Sequence, residues 1–233
     1  MNSSEHKIRI AIIGGTGALG TGLALRWSAA GYPIIIGSRK LEKAESAVDG
    51  LQADLEKRDQ GAAAITPMEN YDAAAAGELV VLTVPFAHHR STLEGIRPAL
   101  EGKILVDVTV PLQPPKVATV QLPPEGCAAV AAQRILGDKV RVVSALQNVA
   151  AIHLQSGHTL DCDVLVCGDD KDAREEVVRL IRDMDMRAYH AGPLANSVAA
   201  ESLTSVLITI NRRYKCHAGI RITGIPDDGP DSH

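Results

Sequence analysis

The sequence predicts an α/β protein: a doubly wound parallel sheet, then a small C-terminal α/β extension and a terminal helix. Three observations predict it. Five short, β-branched runs alternate with helical stretches before residue 109, the order that builds parallel sheets by right-handed crossovers. A glycine-rich turn joins the first of those runs to the first helix. After residue 160 the alternation resumes and closes on a long helix.

The first unit spans Lys7 to Lys43. Ile8-Arg9-Ile10-Ala11-Ile12-Ile13 has the length and β-branched content of a buried strand. Gly14-Gly15-Thr16-Gly17-Ala18-Leu19-Gly20 follows, with the spacing G-x-G-x-x-G at Gly15, Gly17 and Gly20. In such a motif one glycine makes the tight turn, one lets a pyrophosphate approach the backbone, and one lets helix pack on strand. Leu23 to Ala30 reads as the helix whose free N–H groups and positive end would face the phosphates. Pro33 to Gly37 is the second strand and completes a Rossmann-type unit.

The end of that second strand selects the nucleotide. A carboxylate there would accept hydrogen bonds from the ribose of NAD. Here stand Gly37-Ser38-Arg39-Lys40, with Lys43 one turn further on. Cations at a helix N-terminus oppose its dipole and so ask for an anion. A hydroxyl beside a guanidinium suits a phosphorylated ribose, which points to NADP.

Leu41 to Arg58 is a helix with Ala44, Val48 and Leu51 on one stripe. Ala62 to Thr66 is a short third strand stopped by Pro67, and Tyr71 to Ala76 another helix. Leu79 to Val84 is a fourth buried strand that runs into Pro85. Ligands of doubly wound sheets sit at the carboxyl ends of the strands, which places Thr83, Val84 and Pro85 against the dinucleotide. His88 and His89 project about 100° apart on a helix, so they read as solvated or cofactor-edge groups rather than a chelate. That helix reaches Leu100 and feeds a fifth strand, Lys103 to Val108.

Between Pro111 and Pro124 five of the chain's twelve prolines make an extended covering loop. Glu125 to Leu136 is then a helix, and Val140 to Ala145 a strand. Asp163 to Cys167 is another strand, Asp170 caps a helix over Ala173 to Met184, and Arg187 to His190 is the last strand. In the final helix, Leu194 to Arg213, residues Ala199, Leu203, Val206, Leu207 and Ile210 share one apolar face, a candidate dimerising surface. Pro226 to His233 has the composition of a disordered tail.

Composition narrows the function classes. A net charge of −4 gives no support to nucleic-acid binding. No apolar run approaches the roughly 20 residues that span a bilayer, and the first residues lack a signal-peptide core. Cys127, Cys162, Cys167 and Cys216 show neither disulfide nor metal spacing, so a reducing, cytoplasmic setting is expected.

Several of these segments together carry a resemblance: Gly14 to Gly20, Gly37-Ser38-Arg39, Thr83-Val84-Pro85, Val143-Ser144-Ala145-Leu146, Val166 to Asp170 and Ala191-Gly192-Pro193-Leu194. The chain resembles the NADPH-dependent reductases of coenzyme F420, a deazaflavin hydride carrier, from about Lys7 to Ile222. That resemblance implies NADP contacts from Thr16, Gly17, Ala18, Leu19, Ser38, Arg39, Lys43, Val84 and Ala151. It also implies a deazaflavin over the nicotinamide, between Thr83-Val84-Pro85 and a lid from Gln147 to Ala151, with Val149 against its ring. Residues 1–145 would then bind NADP, 146–222 would complete the acceptor site, and 223–233 would be a flexible tail. Where archaeal members carry His-Thr-Ile-Pro-Ala, this chain has Gln147-Asn148-Val149-Ala150-Ala151, and Gln147 hydrogen-bonds without charge.

No acid–base dyad is visible in the sequence, which suits hydride transfer between two ring cofactors, because positioning does most of that work. Two other functions stay open on the residues. One is an NADP-dependent dehydrogenase or imine reductase of a small metabolite, needing His88, His89 or His153 as proton donor. The other is a non-catalytic NADP sensor, which fold alone does not exclude.

Overall fold

The computed structural model describes residues 7–58, 61–156 and 160–225. Beyond Ile225 the expected tail lies outside the described residues.

Six strands run parallel: β1 (Ile10–Ile13), β2 (Ile34–Ser38), β3 (Ile65–Glu69), β4 (Leu79–Leu82), β5 (Ile104–Asp107) and β6 (Arg141–Ser144). The next strand, β7 (Asp163–Gly168), joins β6 antiparallel, and β8 (Arg187–His190) pairs with β7 in parallel. The order across the sheet is β3-β2-β1-β4-β5-β6-β7-β8. The predicted parallel sheet thus carries one reversal, where the C-terminal extension begins, and the extension lengthens the same sheet.

Helices cover both faces. They are α1 (Ala18–Ala29), α2 (Leu41–Lys57), α3 (Asn70–Ala76) and α4 (His89–Ile96) in the first half. The second half adds α5 (Ala128–Leu136), α6 (Ala151–Gln155), α7 (Lys171–Arg182) and α8 (Ser197–Tyr214). Side chains along each strand alternate between two core layers, as the pleat requires. Ile10 and Ile12 of β1 enter a layer with α1, α2 and α7, whereas Ala11 and Ile13 enter one with α3, α4 and α5. Both faces are buried, which is why these strands read as unbroken apolar runs. Trp27 of α1 sits deep in the first layer and donates its indole N–H to the Leu180 carbonyl of α7 at 2.9 Å.

Several expectations need correction. Pro67 does not stop the third strand but lies inside it, opposite Ile36. The strand is the sheet edge, where a residue without an N–H costs no ladder bond on the open side. The first helix begins at Ala18 rather than Leu23, directly after the motif's second glycine. The helix expected to reach Leu100 ends at Ile96 and tightens into a 3-10 turn, Arg97–Ala99, around Pro98. The helix expected from Glu125 begins at Ala128. The short α6 had no counterpart in the sequence reading. Asp170, by contrast, caps α7 as expected, accepting from the Ala173 N–H at 2.7 Å.

The terminal helix buries a different face from the one its apolar residues mark. Ser197, Ala200, Glu201, Ser205 and Leu207 are buried, while Ala199 and Val206 are exposed. Small residues let α8 lie close to its neighbours, and Glu201 reaches the start of α5, where its carboxylate accepts from Ala128 N at 2.7 Å and Ala129 N at 3.1 Å. Burial pushes that carboxyl up to about 7, although the two N–H donors pull the other way.

Candidate active site

The first βα turn and the ends of β2 and β4 enclose a cleft of about 610 Å³. Its geometry begins with glycine. Gly14 turns out of β1 with φ +70°, and its N–H donates to Asn70 Oδ1 at 3.2 Å. The Gly15 N–H donates to the Gly37 carbonyl at 3.0 Å, tying the turn to β2. A Cβ on Gly20 would stand 2.6 Å from the Gly15 Cα, so only glycine lets α1 leave the turn this tightly. A Cβ on Gly17 would meet nothing within 4 Å, so that position is open toward the cleft rather than packed. Gly17 is also the N-cap of α1, with no side-chain cap and no acidic residue in the first turn. The helix therefore offers uncapped N–H groups to an anion.

The opposite wall is braced from the same strand. Thr83 donates to the Ile13 carbonyl through both its N–H, at 3.0 Å, and its hydroxyl, at 2.9 Å. That double bond holds the chain after β4 beside the glycine turn, and Val84 presses on Gly14. Ser38 closes the cleft from the end of β2, with Arg39, Lys40 and Lys43 beside it. Among the described residues no carboxylate lines the cleft, and no ion pair joins those three cations to another side chain. Three uncompensated positive charges at an uncapped helix start favour a polyanion.

Ten of the expected site residues meet here: Thr16, Gly17, Ala18, Leu19, Ser38, Arg39, Lys43, Thr83, Val84 and Pro85. Gln147, Val149 and Ala151 do not line this cleft. The segment expected as a lid is clamped. Gln147 is buried, its amide N–H₂ donating to the Asp107 carbonyl at 2.9 Å and to Ser144 Oγ at 2.8 Å. Asn148 donates to the Ala200 carbonyl at 2.8 Å, and Thr204 donates to the Gln147 carbonyl at 3.0 Å. Val149 packs against the first core layer. Ala151 opens α6, which Arg26 and Gln155 fasten to α1 through the Leu154 and Ala18 carbonyls. Gly22 permits that docking, since a Cβ there would lie 2.7 Å from the Leu154 Cβ.

The sequence reading missed Asn70 and Thr92 as lining residues. Asn70 follows an edge strand with no motif around it, so nothing local marked it. Thr92 lies four residues after His88, one turn along, a spacing that does put both on one face. His88 lines the cleft, but His89 is not a cofactor-edge group: it is buried, with Nε2 2.7 Å from Asp107 Oδ2. His153 stacks edge-on against His217. Among the cysteines, burial pushes Cys127 up to about 11 and raises Cys162 and Cys167, which keeps these thiols protonated and inert.

Residues 9–111 match the family described as NADP oxidoreductase coenzyme F420-dependent. An F420-dependent NADP reductase of Methanocaldococcus jannaschii is 42% identical over 224 residues, covering 94% of this chain and 99% of that protein. The chain belongs to the F420-dependent NADP reductase family. A second member, from Methanothermobacter thermautotrophicus, is 40% identical over 228 residues, with 94% and 97% covered. Among solved structures, a hypothetical protein from Sinorhizobium meliloti shares the fold at a TM-score of 0.67 and 22% identity, covering 84% of this chain and 89% of that one.

The glycines of the family's turn should separate by substitution. Gly20→Ala forces backbone apart and should lower the thermal midpoint by roughly 4–10 °C, whereas Gly17→Ala should move it by about 2 °C at most. NADPH affinity should fall in both variants. Equal midpoint shifts in the two would contradict the different roles assigned to these glycines.

Proposed function

We propose that this protein transfers a hydride between NADP(H) and the deazaflavin coenzyme F420. The observation that carries the nucleotide half is the cleft where β2 ends on Ser38, Arg39, Lys40 and Lys43 with no carboxylate among its lining residues. The acceptor half is supported by family membership, since the relatives at 38–42% identity are F420-dependent NADP reductases. When bound, the two cofactors would supply the chemistry, a hydride passing between the nicotinamide and a ring carbon of the deazaflavin.

The chain's own residues bind and orient. The uncapped start of α1, with Thr16 to Leu19, holds the pyrophosphate by backbone N–H groups. Arg39 and Lys43 grip the ribose phosphate beside the Ser38 hydroxyl, which selects NADP over NAD. Thr83, Val84 and Pro85 form an apolar wall that keeps water from the nicotinamide side. Residues 1–145 carry this cleft, while 146–222, with Gln147, Val149 and Ala151 in their clamped turn, complete the acceptor site. His88 in the cleft wall keeps one rival in view, a small-metabolite reductase with His88 as proton donor.

We place the protein in a reducing cytoplasm, which its four unpaired cysteines suit. Among the described residues no helix is long and apolar enough to cross a membrane. We also propose a homodimer through α8, whose Val206 and Tyr214 stand 45% and 73% exposed with Leu203 half-buried beside them. Leu203→Glu should then convert a dimer to monomers. Sedimentation of the wild type as a monomer at micromolar concentration would refute it.

For the activity, NADPH should bleach the absorbance of oxidised F420 in the presence of catalytic amounts of protein. Arg39→Ala should raise the KM for NADPH by a factor of roughly 10 to 150, the worth of one charge-assisted phosphate contact, and leave that for NADH nearly unchanged. No bleaching, with turnover of a small imine or ketone instead, would establish the rival.

A further inference from the structure

A buried histidine–carboxylate pair lies next to the cleft without lining it. His89 and Asp107 are 2% and 0% exposed, with Nε2 and Oδ2 2.7 Å apart. Each partner belongs to a segment that reaches one flank of the site. His89 directly follows His88, which lines the cleft, and starts α4 after the turn Phe86–His88 that Pro85 caps. Its ring stacks on Phe86 with centroids 5.9 Å apart. Asp107 ends β5, accepts from the Thr109 N–H at 2.9 Å through Oδ1, and accepts from Gln147 at 2.9 Å through its carbonyl. One residue thereby holds the wall after β4, through His89, and the clamped turn after β6, through Gln147.

Stability alone is a weak reason for such a pair. Burying a carboxylate and an imidazole carries a desolvation cost, and apolar residues of the same volume often serve a core as well or better. What the pair supplies is a fixed distance and direction between two segments. The wall needs that. Thr83 is pinned to the Ile13 carbonyl at one end, and His89 is the matching anchor at the other. Between them the turn is closed by the His88 N–H to the Pro85 carbonyl at 2.8 Å.

We propose that His89 and Asp107 are positioning residues that set the nicotinamide-side wall of the cleft, acting through Pro85 to His88 rather than on the ligand. The proposal rests on the reading of the cleft as an NADP(H) site. The Ser38–Lys43 end of the cleft lies on other segments, β2 and α2, and does not depend on the pair. Loss of the pair therefore weakens whichever ligand reaches the wall and spares one that stops at the ribose phosphate.

The test compares NADPH with 2′,5′-ADP, which carries the adenine half only, by calorimetric titration of the full chain. His89→Ala should weaken NADPH by about tenfold and 2′,5′-ADP by about twofold at most. His89→Gln, whose amide can still donate to Asp107, should recover most of that loss. His89→Phe keeps an aromatic ring beside Phe86 and cannot bond Asp107, so it should show the same selective pattern even where the alanine variant fails to fold. Equal weakening of both ligands, or no weakening of either, in the folded variants would overturn the proposal. Wild-type protein that binds neither nucleotide would overturn both this proposal and the NADP reading beneath it. Wild type that binds both while failing to reduce F420 would overturn only the acceptor.

Discussion

The contact between Gly20 and Gly15 is the constraint from which the rest of the site follows. A Cβ on Gly20 would lie 2.6 Å from the Gly15 Cα, so the first turn of α1 runs against the turn that precedes it. Because the two backbones touch, α1 starts at the end of β1 and leaves its uncapped N–H groups at the mouth of the cleft. The same strand end carries the Ile13 carbonyl to which Thr83 is doubly bonded, so the opposite wall takes its position from β1 as well. Gly22, one turn along α1, then admits α6 and with it the clamped segment after β6.

Charge is distributed by the same logic. The cleft keeps its cations uncompensated, which is tolerable only because they are solvated until an anion arrives. The buried carboxylates are each engaged elsewhere: Glu201 caps α5, Asp107 holds His89 and the Thr109 N–H, and Asp163 forms an ion pair with Arg187 and accepts from the Ile222 N–H. Placing acids in the scaffold and keeping them out of the cleft preserves the positive potential that binding a polyanion requires. Beyond the cations after β2, His88 is the ionisable side chain among the described lining residues.

Much of this was legible in the sequence, and the reasons are local. The glycine spacing, the cations after β2 and the proline after β4 depend on short-range backbone chemistry, so ten expected residues do meet in the cleft. What was not legible depends on residues far apart in the chain. His89 reads as a surface histidine until Asp107, eighteen residues later, is seen beneath it. Gln147 reads as an exposed lid residue, whereas it is buried, its N–H₂ held by the Asp107 carbonyl forty residues away and its Oε1 left without a partner. The buried face of α8 carries serines and a glutamate besides Leu207, so apolar periodicity did not mark what that helix packs within its own chain. Pro67 misled because its tolerance comes from being on an edge, a fact of topology rather than of propensity.

The central claim is that this protein passes a hydride directly between nicotinamide and deazaflavin by holding the two rings in place, with no side chain carrying the transferred hydrogen. Turnover of NADPH bearing deuterium at the transferred position of the nicotinamide, followed by mass and magnetic-resonance analysis of the reduced F420, tests it most directly. The account predicts deuterium at the deazaflavin ring carbon, retained at nearly full occupancy in ordinary water. Hydrogen from the solvent at that carbon would contradict direct transfer.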